Sequence, residues 1–168
     1  MRLVEFLNMK TKTELEEMFL RCCGSTRWAL RMAESAPFSS RNDLHHVAIQ
    51  IWDALGKEDY LEAFKAHPQI GASVEELRKK FQTTSNWSSG EQSGMEAASE
   101  ETIQALKEAN AQYLERFGYI FIVCATGKSA DEMLTIIQER LPNAPEIELP
   151  IAAFEQQKIT TIRLEKLL

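Results

Sequence analysis

The sequence predicts an all-α fold, a compact multi-helix single domain spanning residues 1–168. Three observations predict it. Apolar side chains recur three and four positions apart through most of the chain, and Ser or Thr stands three residues before Glu where several of these runs begin. A chain of 168 residues, 44% hydrophobic, is long enough for one real core with little left for a second.

Taken in order, Thr13 with Glu16 reads as a capping box for a first helix whose face carries Leu15, Met18, Phe19 and Cys22, with Gly24 as its terminator. Ser25 caps a second helix bearing Trp28 and Met32, which breaks before Pro37. Asp43 opens the most regular pattern in the chain: Leu44, Val47, Ala48, Ile51, Trp52 and Leu55, closed by Gly56. That helix is expected to lie across the core. A short helix around residues 60–65 should bury Tyr60, Leu61 and Phe64; another, capped by Ser73 and Glu76, should present Val74, Leu77 and Phe81. Residues 82–90 read as a polar loop. Ile103, Leu106, Asn110, Tyr113 and Phe117 form one stripe of a long helix ended by Gly118, and Asn110 on that stripe needs a hydrogen-bond partner. Residues 119–126, YIFIVCAT, read as a strand or a buried extended segment, but no second run is there to pair with it, which argues against a sheet. Ser129 and Glu132 cap a helix with Met133, Ile136, Ile137 and Leu141, stopped by Pro142 and Pro145. From Glu148 onward a final helix carries Ile151, Phe154, Ile159 and Ile162, against the β-branched bias of KITTIR.

Composition excludes several functions. Net charge is −6 and the 19 basic residues are scattered except for Arg78-Lys79-Lys80, so no stripe suited to nucleic acid is present. No apolar run approaches the roughly 20 residues of a membrane helix, and the opening residues lack a signal-peptide core. A cytoplasmic protein is expected. Cys22, Cys23 and Cys124 are an odd set that suits neither disulfides nor zinc; adjacent His45 and His46 cannot converge on one ion, and no phosphate-loop fingerprint occurs. No metal and no cofactor are expected.

Four places could carry chemistry. Pro68 pushes His67 out of the helical region, so the preceding helix ends and the imidazole is held at its terminus; on residue grounds alone, a capping or surface histidine is the plainer account. In WSSGEQSGM, residues 87–95, Ser88 and Glu91 form a capping box, and the helix start with Gln92 also suits a polar, partly anionic ligand. The third is the segment from Asn110 through YIFIVCATGK, whose plain account is core. Arg163, within an apolar helical stretch, is either a solvated charge or a fork for a carboxylate.

Together with CCGSTRWALRMAESAPF and the closing KITTIRLEKLL, the order of AHPQIG, SSGEQSGM and NAQYLERFGYIFIVCATG resembles the 2-oxo-4-hydroxy-4-carboxy-5-ureidoimidazoline (OHCU) decarboxylase family over most of the chain. The resemblance implies an all-helical, cofactor-free homodimer that acts on a small molecule, OHCU, in the last step from urate to (S)-allantoin. By position, His67 matches the catalytic histidine and Glu91 the glutamate that works with it. Pro68, the run Ser88, Ser89, Gly90, Glu91 and Gln92, and the run Phe121, Ile122, Val123, Cys124 and Ala125 match segments that line the substrate pocket. Arg163 matches a basic residue near the C-terminus. Cys124 stands where relatives can carry alanine. The alternative is a non-catalytic helical module that binds a ureido or purine-derived ligand, although such a module has no need of both His67 and Glu91; an interaction adaptor would show an unexplained apolar stripe.

Overall fold

The computed structural model describes residues 1–67 and 99–168. Eight helices occur among them: α1 (Leu3–Asn8), α2 (Lys12–Cys22), α3 (Thr26–Glu34), α4 (Arg41–Asp53), α5 (Lys57–Lys65), α6 (Glu100–Phe117), α7 (Ala130–Arg140) and α8 (Pro145–Glu165). No strand occurs among the described residues, which bears out the all-α expectation. The expected helix from Ser73 and the loop at 82–90 lie outside them. Contacts gather the chain into two units, one of Met1–His67, Ile122–Cys124 and Leu149–Leu168, the other holding residues 99–121 and 125–148.

In the first unit, α2 and α3 pack their apolar faces together around Phe19 and Trp28, both fully buried. Phe19 meets Trp28 and Phe38 edge-on, each ring pair 6.0 Å apart. Both buried indoles also satisfy their N–H: Trp28 Nε1 donates to the Ala48 carbonyl at 3.1 Å, and Trp52 Nε1 to that of Ala153 at 2.9 Å. These bonds fix α4 against α3 and α8 in position and not only in area buried. Leu44, Ala48 and Trp52 form the buried edge of α4, with Leu55 buried just past its end, while Val47 and Ile51 are half-buried.

Several boundaries differ from the sequence reading. Thr11, not Thr13, caps α2; its hydroxyl accepts from Glu14 N while Glu14 accepts from Thr11 N, so the capping box lies two residues earlier. Gly56 does not close α4, which stops at Asp53; it precedes α5, where Asp59 accepts from its N–H. Gly24 terminates nothing through its backbone, since α2 ends on an extended Cys23 and positive φ occurs only at Gly118 and Gly127 among the described residues. Its reason is room: a Cβ there would meet the Ala66 Cβ at 2.3 Å. Pro145 opens α8, because a first helical residue has no N–H partner to lose.

Other readings hold. Ser25 and Ser129 each accept from the backbone N–H three residues on, as does Ser99, which the sequence reading does not single out. Gly118 closes α6 at φ 81°, the left-handed region that glycine enters without a Cβ clash. Asn110, almost fully buried, finds its partner by donating to the Leu106 carbonyl at 2.9 Å. Residues 119–125 belong to no helix or strand and are largely buried.

In the second unit, α6 and α7 pack over a buried polar cluster. The Tyr113 hydroxyl donates to Glu148 Oε2 at 2.7 Å, and Arg140 reaches the same carboxylate through Nε and Nη2 at 2.8–3.0 Å. Burial draws the Arg140 pKa down, but its bonds to Glu148 and Tyr113 more than offset this and leave it raised. Burial likewise drives the Tyr113 phenol upward.

Candidate functional site

His67 lies just past α5, and the chain above it fixes where. Glu62, one turn before the end of α5, accepts from both the backbone N–H and the hydroxyl of Thr26 at 2.8 Å, at the start of α3. An acidic side chain suits the positive end of that helix. After Lys65 the last turn tightens: Ala66 N donates to Ala63 O and His67 N to Phe64 O, both at 3.2 Å. Helix α5 therefore ends just short of the His-Pro pair, and the imidazole leaves it half-buried.

Both ring nitrogens of His67 face α8. Nε2 contacts Gln156 Oε1, and Nδ1 stands 3.5 Å from Arg163 Nη2. Gln156 and Arg163 are seven residues apart, two turns on one face, with Thr160 between them. Gln156 Nε2 donates to Thr160 Oγ1 at 3.1 Å, and that hydroxyl donates to the Gln156 carbonyl at 3.0 Å. Arg163 also donates from Nη1 to the Cys22 carbonyl at 3.4 Å, and no carboxylate among the described residues pairs with it. The solvated-charge reading of Arg163 thus gives way to that of a half-buried guanidinium beside an imidazole, with no described carboxylate paired to it.

This setting disfavours the charged form of His67. Burial lowers its pKa most; the Gln156 bond raises it, and the Arg163 charge lowers it. Burial also pushes the Cys22 thiol up to about 12 and the Cys23 thiol up to about 11, so neither is a thiolate nucleophile at neutral pH. No group of three His, Cys, Asp or Glu side chains among the described residues converges on a metal position.

Of the residues singled out from sequence, the structure brings His67 and Arg163 together. Pro68, Ser88, Ser89, Gly90, Glu91 and Gln92 lie outside the described residues. Ile122, Val123 and Cys124 are buried in the first unit, where Cys124 N donates to Glu155 Oε1 at 3.1 Å. That amide is occupied by the protein itself. Phe121, in the second unit, packs on Tyr113 at 5.3 Å and under the Arg140 guanidinium at 4.7 Å, while the Ala125 carbonyl accepts from Lys128 N at 3.0 Å. Sequence reasoning missed Gln156, Thr160 and Glu155. Its attention in α8 went to Ile151, Phe154, Ile159 and Ile162, yet Phe154 is exposed and the buried face is Ala152, Ala153, Glu155, Gln156, Thr160 and Leu164. The available signal was polar residues at i, i+4 and i+7: Gln156, Thr160 and Arg163.

Fold and site together define a class, an all-helical protein in which an imidazole and a guanidinium converge. The sequence profile of the OHCU decarboxylase family matches residues 8–165, and the chain belongs to that family. It is 40% identical over 154 residues to the uric acid degradation bifunctional protein TTL of Arabidopsis thaliana, covering 90% of this chain and 47% of that one. The chain thus spans about half the length of this relative. It is 30% identical over 132 residues to the mouse (Mus musculus) 2-oxo-4-hydroxy-4-carboxy-5-ureidoimidazoline decarboxylase, covering 79% of this chain and 73% of that one. A crystal structure of OHCU decarboxylase in the presence of (S)-allantoin superposes with a TM-score of 0.73 at 38% identity, covering 90% of this chain and 96% of that one.

Proposed function

We propose that this chain decarboxylates 2-oxo-4-hydroxy-4-carboxy-5-ureidoimidazoline to (S)-allantoin in urate degradation, with His67 as general acid–base and Glu91 as its partner. The observation that carries this reading, within a member of the family, is the 3.5 Å approach of Arg163 to His67 Nδ1. The substrate bears a carboxylate and a hydroxyl on one ring carbon, C4. A guanidinium beside a basic nitrogen is the complement of that pair, the fork taking the carboxylate and Nδ1 the hydroxyl.

The chemistry then needs no added cofactor, because the ring supplies the electron sink. As the C4–carboxylate bond breaks and CO₂ leaves, its electron pair forms a C4–C5 double bond and the C5–N pair moves onto nitrogen, which takes a proton from solvent. The hydroxyl proton passes to Nδ1 of neutral His67, and Nδ1 returns it to C5 on one face, leaving a carbonyl at C4 and setting the product's handedness. Positioned proton transfer of this kind contributes roughly 10²- to 10⁴-fold. Pro68, Ser88, Ser89, Gly90 and Gln92, with the backbone from Phe121 to Ala125, are proposed to line the pocket. The working form is proposed to be a cytoplasmic homodimer of one functional domain, on the support of the family resemblance; no described helix is long and apolar enough to cross a membrane.

The test is circular dichroism of the product. Substrate is generated in situ from urate with an oxidase and a hydroxyisourate hydrolase, and optical activity at the allantoin band is followed. Rapid growth of the (S)-allantoin signal is expected with the natural chain, and its loss with His67→Ala and Glu91→Gln variants that keep helical dichroism. A trace equal to spontaneous decay would remove the enzyme and leave a binding module; near-full turnover by His67→Ala would remove the acid–base role.

A further inference from the structure

We propose that Gln156, oriented by Thr160, is a positioning residue that holds His67 as the Nε2–H tautomer, so that Nδ1 beside Arg163 is the atom that exchanges protons with substrate. The inference rests on the reading of His67 as the acid–base and goes beyond it by assigning the nitrogen and the group that selects it.

The orientation of the amide follows from its neighbours. The Thr160 hydroxyl spends its single proton on the Gln156 main-chain carbonyl, as a helical threonine commonly does with the residue four before it. It therefore meets the Gln156 side chain as an acceptor, and an acceptor must face the amide NH₂. Oε1 is left pointing at His67 Nε2. Since that oxygen only accepts, Nε2 carries a hydrogen whether the ring is neutral or charged. On the other side, the guanidinium only donates, so the neutral ring turns a lone pair to it. Two partners of opposite character select the same tautomer. Gln156 is fully buried and Thr160 nearly so, which shields the amide from water that would let it turn.

The arrangement also times the proton. With no described carboxylate paired to Arg163, its charge repels a proton on Nδ1. A substrate carboxylate on Arg163 offsets that charge and makes Nδ1 more basic when the hydroxyl proton is to be taken; departure of the carboxylate as CO₂ restores the charge and makes Nδ1–H more acidic when C5 is to be protonated. Among the described residues, the other ionisable groups near this end of the unit are the Cys22 and Cys23 thiols with Arg21 from α2 and Glu62 from α5, and both thiols stay protonated through the neutral range.

Three substitutions test the assignment, with His67 ring ¹⁵N shifts as an independent readout on the natural chain. Gln156→Leu is expected to lower kcat on the order of 10- to 100-fold, part of what positioned acid–base catalysis supplies, with KM little changed. The low-pH limb of kcat/KM should move to lower pH, because the imidazolium loses an acceptor. Gln156→Glu should recover turnover with that limb moved to higher pH, since a carboxylate beside Nε2–H favours the charged ring. Thr160→Val should reproduce a weaker form of the Leu variant. A merely structural role would lower Tm without moving the pH limb. The assignment is overturned if ¹⁵N shifts put the neutral-pH proton of His67 on Nδ1, or if folded Gln156→Leu keeps its kcat and pH profile. Should Gln156→Leu not fold, the ¹⁵N shifts and Thr160→Val still decide. Full turnover by His67→Ala would instead sink the acid–base reading, a distinguishable result.

Discussion

A half-buried imidazole next to a guanidinium is harder to protonate than one in water, and this has a consequence for stability as well as for rate. The folded-state pKa of His67 lies below the ordinary 6.5, chiefly through burial, with Arg163 adding to it. Over the interval between the two values the folded chain binds fewer protons than the unfolded chain. Stability is therefore fully present above about pH 6.5 and is lost as pH falls through the folded-state value. In a thermal-melt series from about pH 7 to about pH 5, the natural chain is expected to lose more Tm than His67→Asn does, since every other titrating group is common to both. Equal slopes would mean that His67 titrates as it does in the unfolded chain. The candidate site was legible from sequence at this scale only in part. His67 and Arg163 each stood out because a constrained histidine and an isolated charge break local pattern. Gln156 did not, because a glutamine beside another glutamine in a charged helix looks solvated; only the packing of α8 shows that Gln156 is buried while Gln157 is half-buried.

At the scale of elements, the position of His67 depends on the seam between the α2–α3 turn and the end of α5. Gly24 is the thin point of that seam, with the Ala66 Cβ only 2.3 Å from where its own would be and the Ala63 backbone 3.6 Å away. Neither neighbour has a flexible side chain to withdraw, so the end of α5 itself must shift. Gly24→Ala is expected to cost about 1–3 kcal/mol as overpacking and to lower kcat by more than the small loss of folded population explains, because displacements of about 1 Å can cost about 10²-fold in a positioned reaction. Parallel melts and turnover numbers check this; a variant with reduced Tm and unchanged kcat would show that His67 tolerates the shift. The sequence marked Gly24 as a helix stop, and the error is instructive. A glycine after an apolar run reads as a terminator whether it is needed for left-handed backbone or for space, and only the second depends on a residue 42 positions away, Ala66. Helices with local determinants were the legible ones: Ser25 and Ser129 cap by contacts three residues long, and Gly118 stops α6 through its own φ. In α8 the apolar periodicity misled, because its buried face includes Glu148, Glu155, Gln156 and Thr160. Polar burial is decided by partners on other elements, which no window of sequence contains.

At the scale of the whole molecule, the two units are held by different means, and separable stability is the expected consequence. The first has Phe19, Trp28, Met32 and Leu44 fully buried, with the two indole N–H bonds tying its helices. The second has buried apolar residues in Ile103, Leu106, Met133 and Ile137, but also the Tyr113, Arg140 and Glu148 cluster at its centre. A buried ion pair adds little over well-packed apolar groups, whereas deleting one member strands the desolvation cost of the other, about 3–5 kcal/mol. Glu148→Gln keeps the shape and one acceptor but removes the charge facing Arg140, so a cost near the lower end, about 3 kcal/mol, is expected. If the units open separately, that cost falls on one of them. Native-state hydrogen exchange should then show amides of α6 and α7 exchanging roughly 100-fold faster in the variant, while those of α2, α3 and α4 change little. Equal acceleration in both sets would mean that the chain opens as one cooperative body, and the division would then describe contacts and not stability.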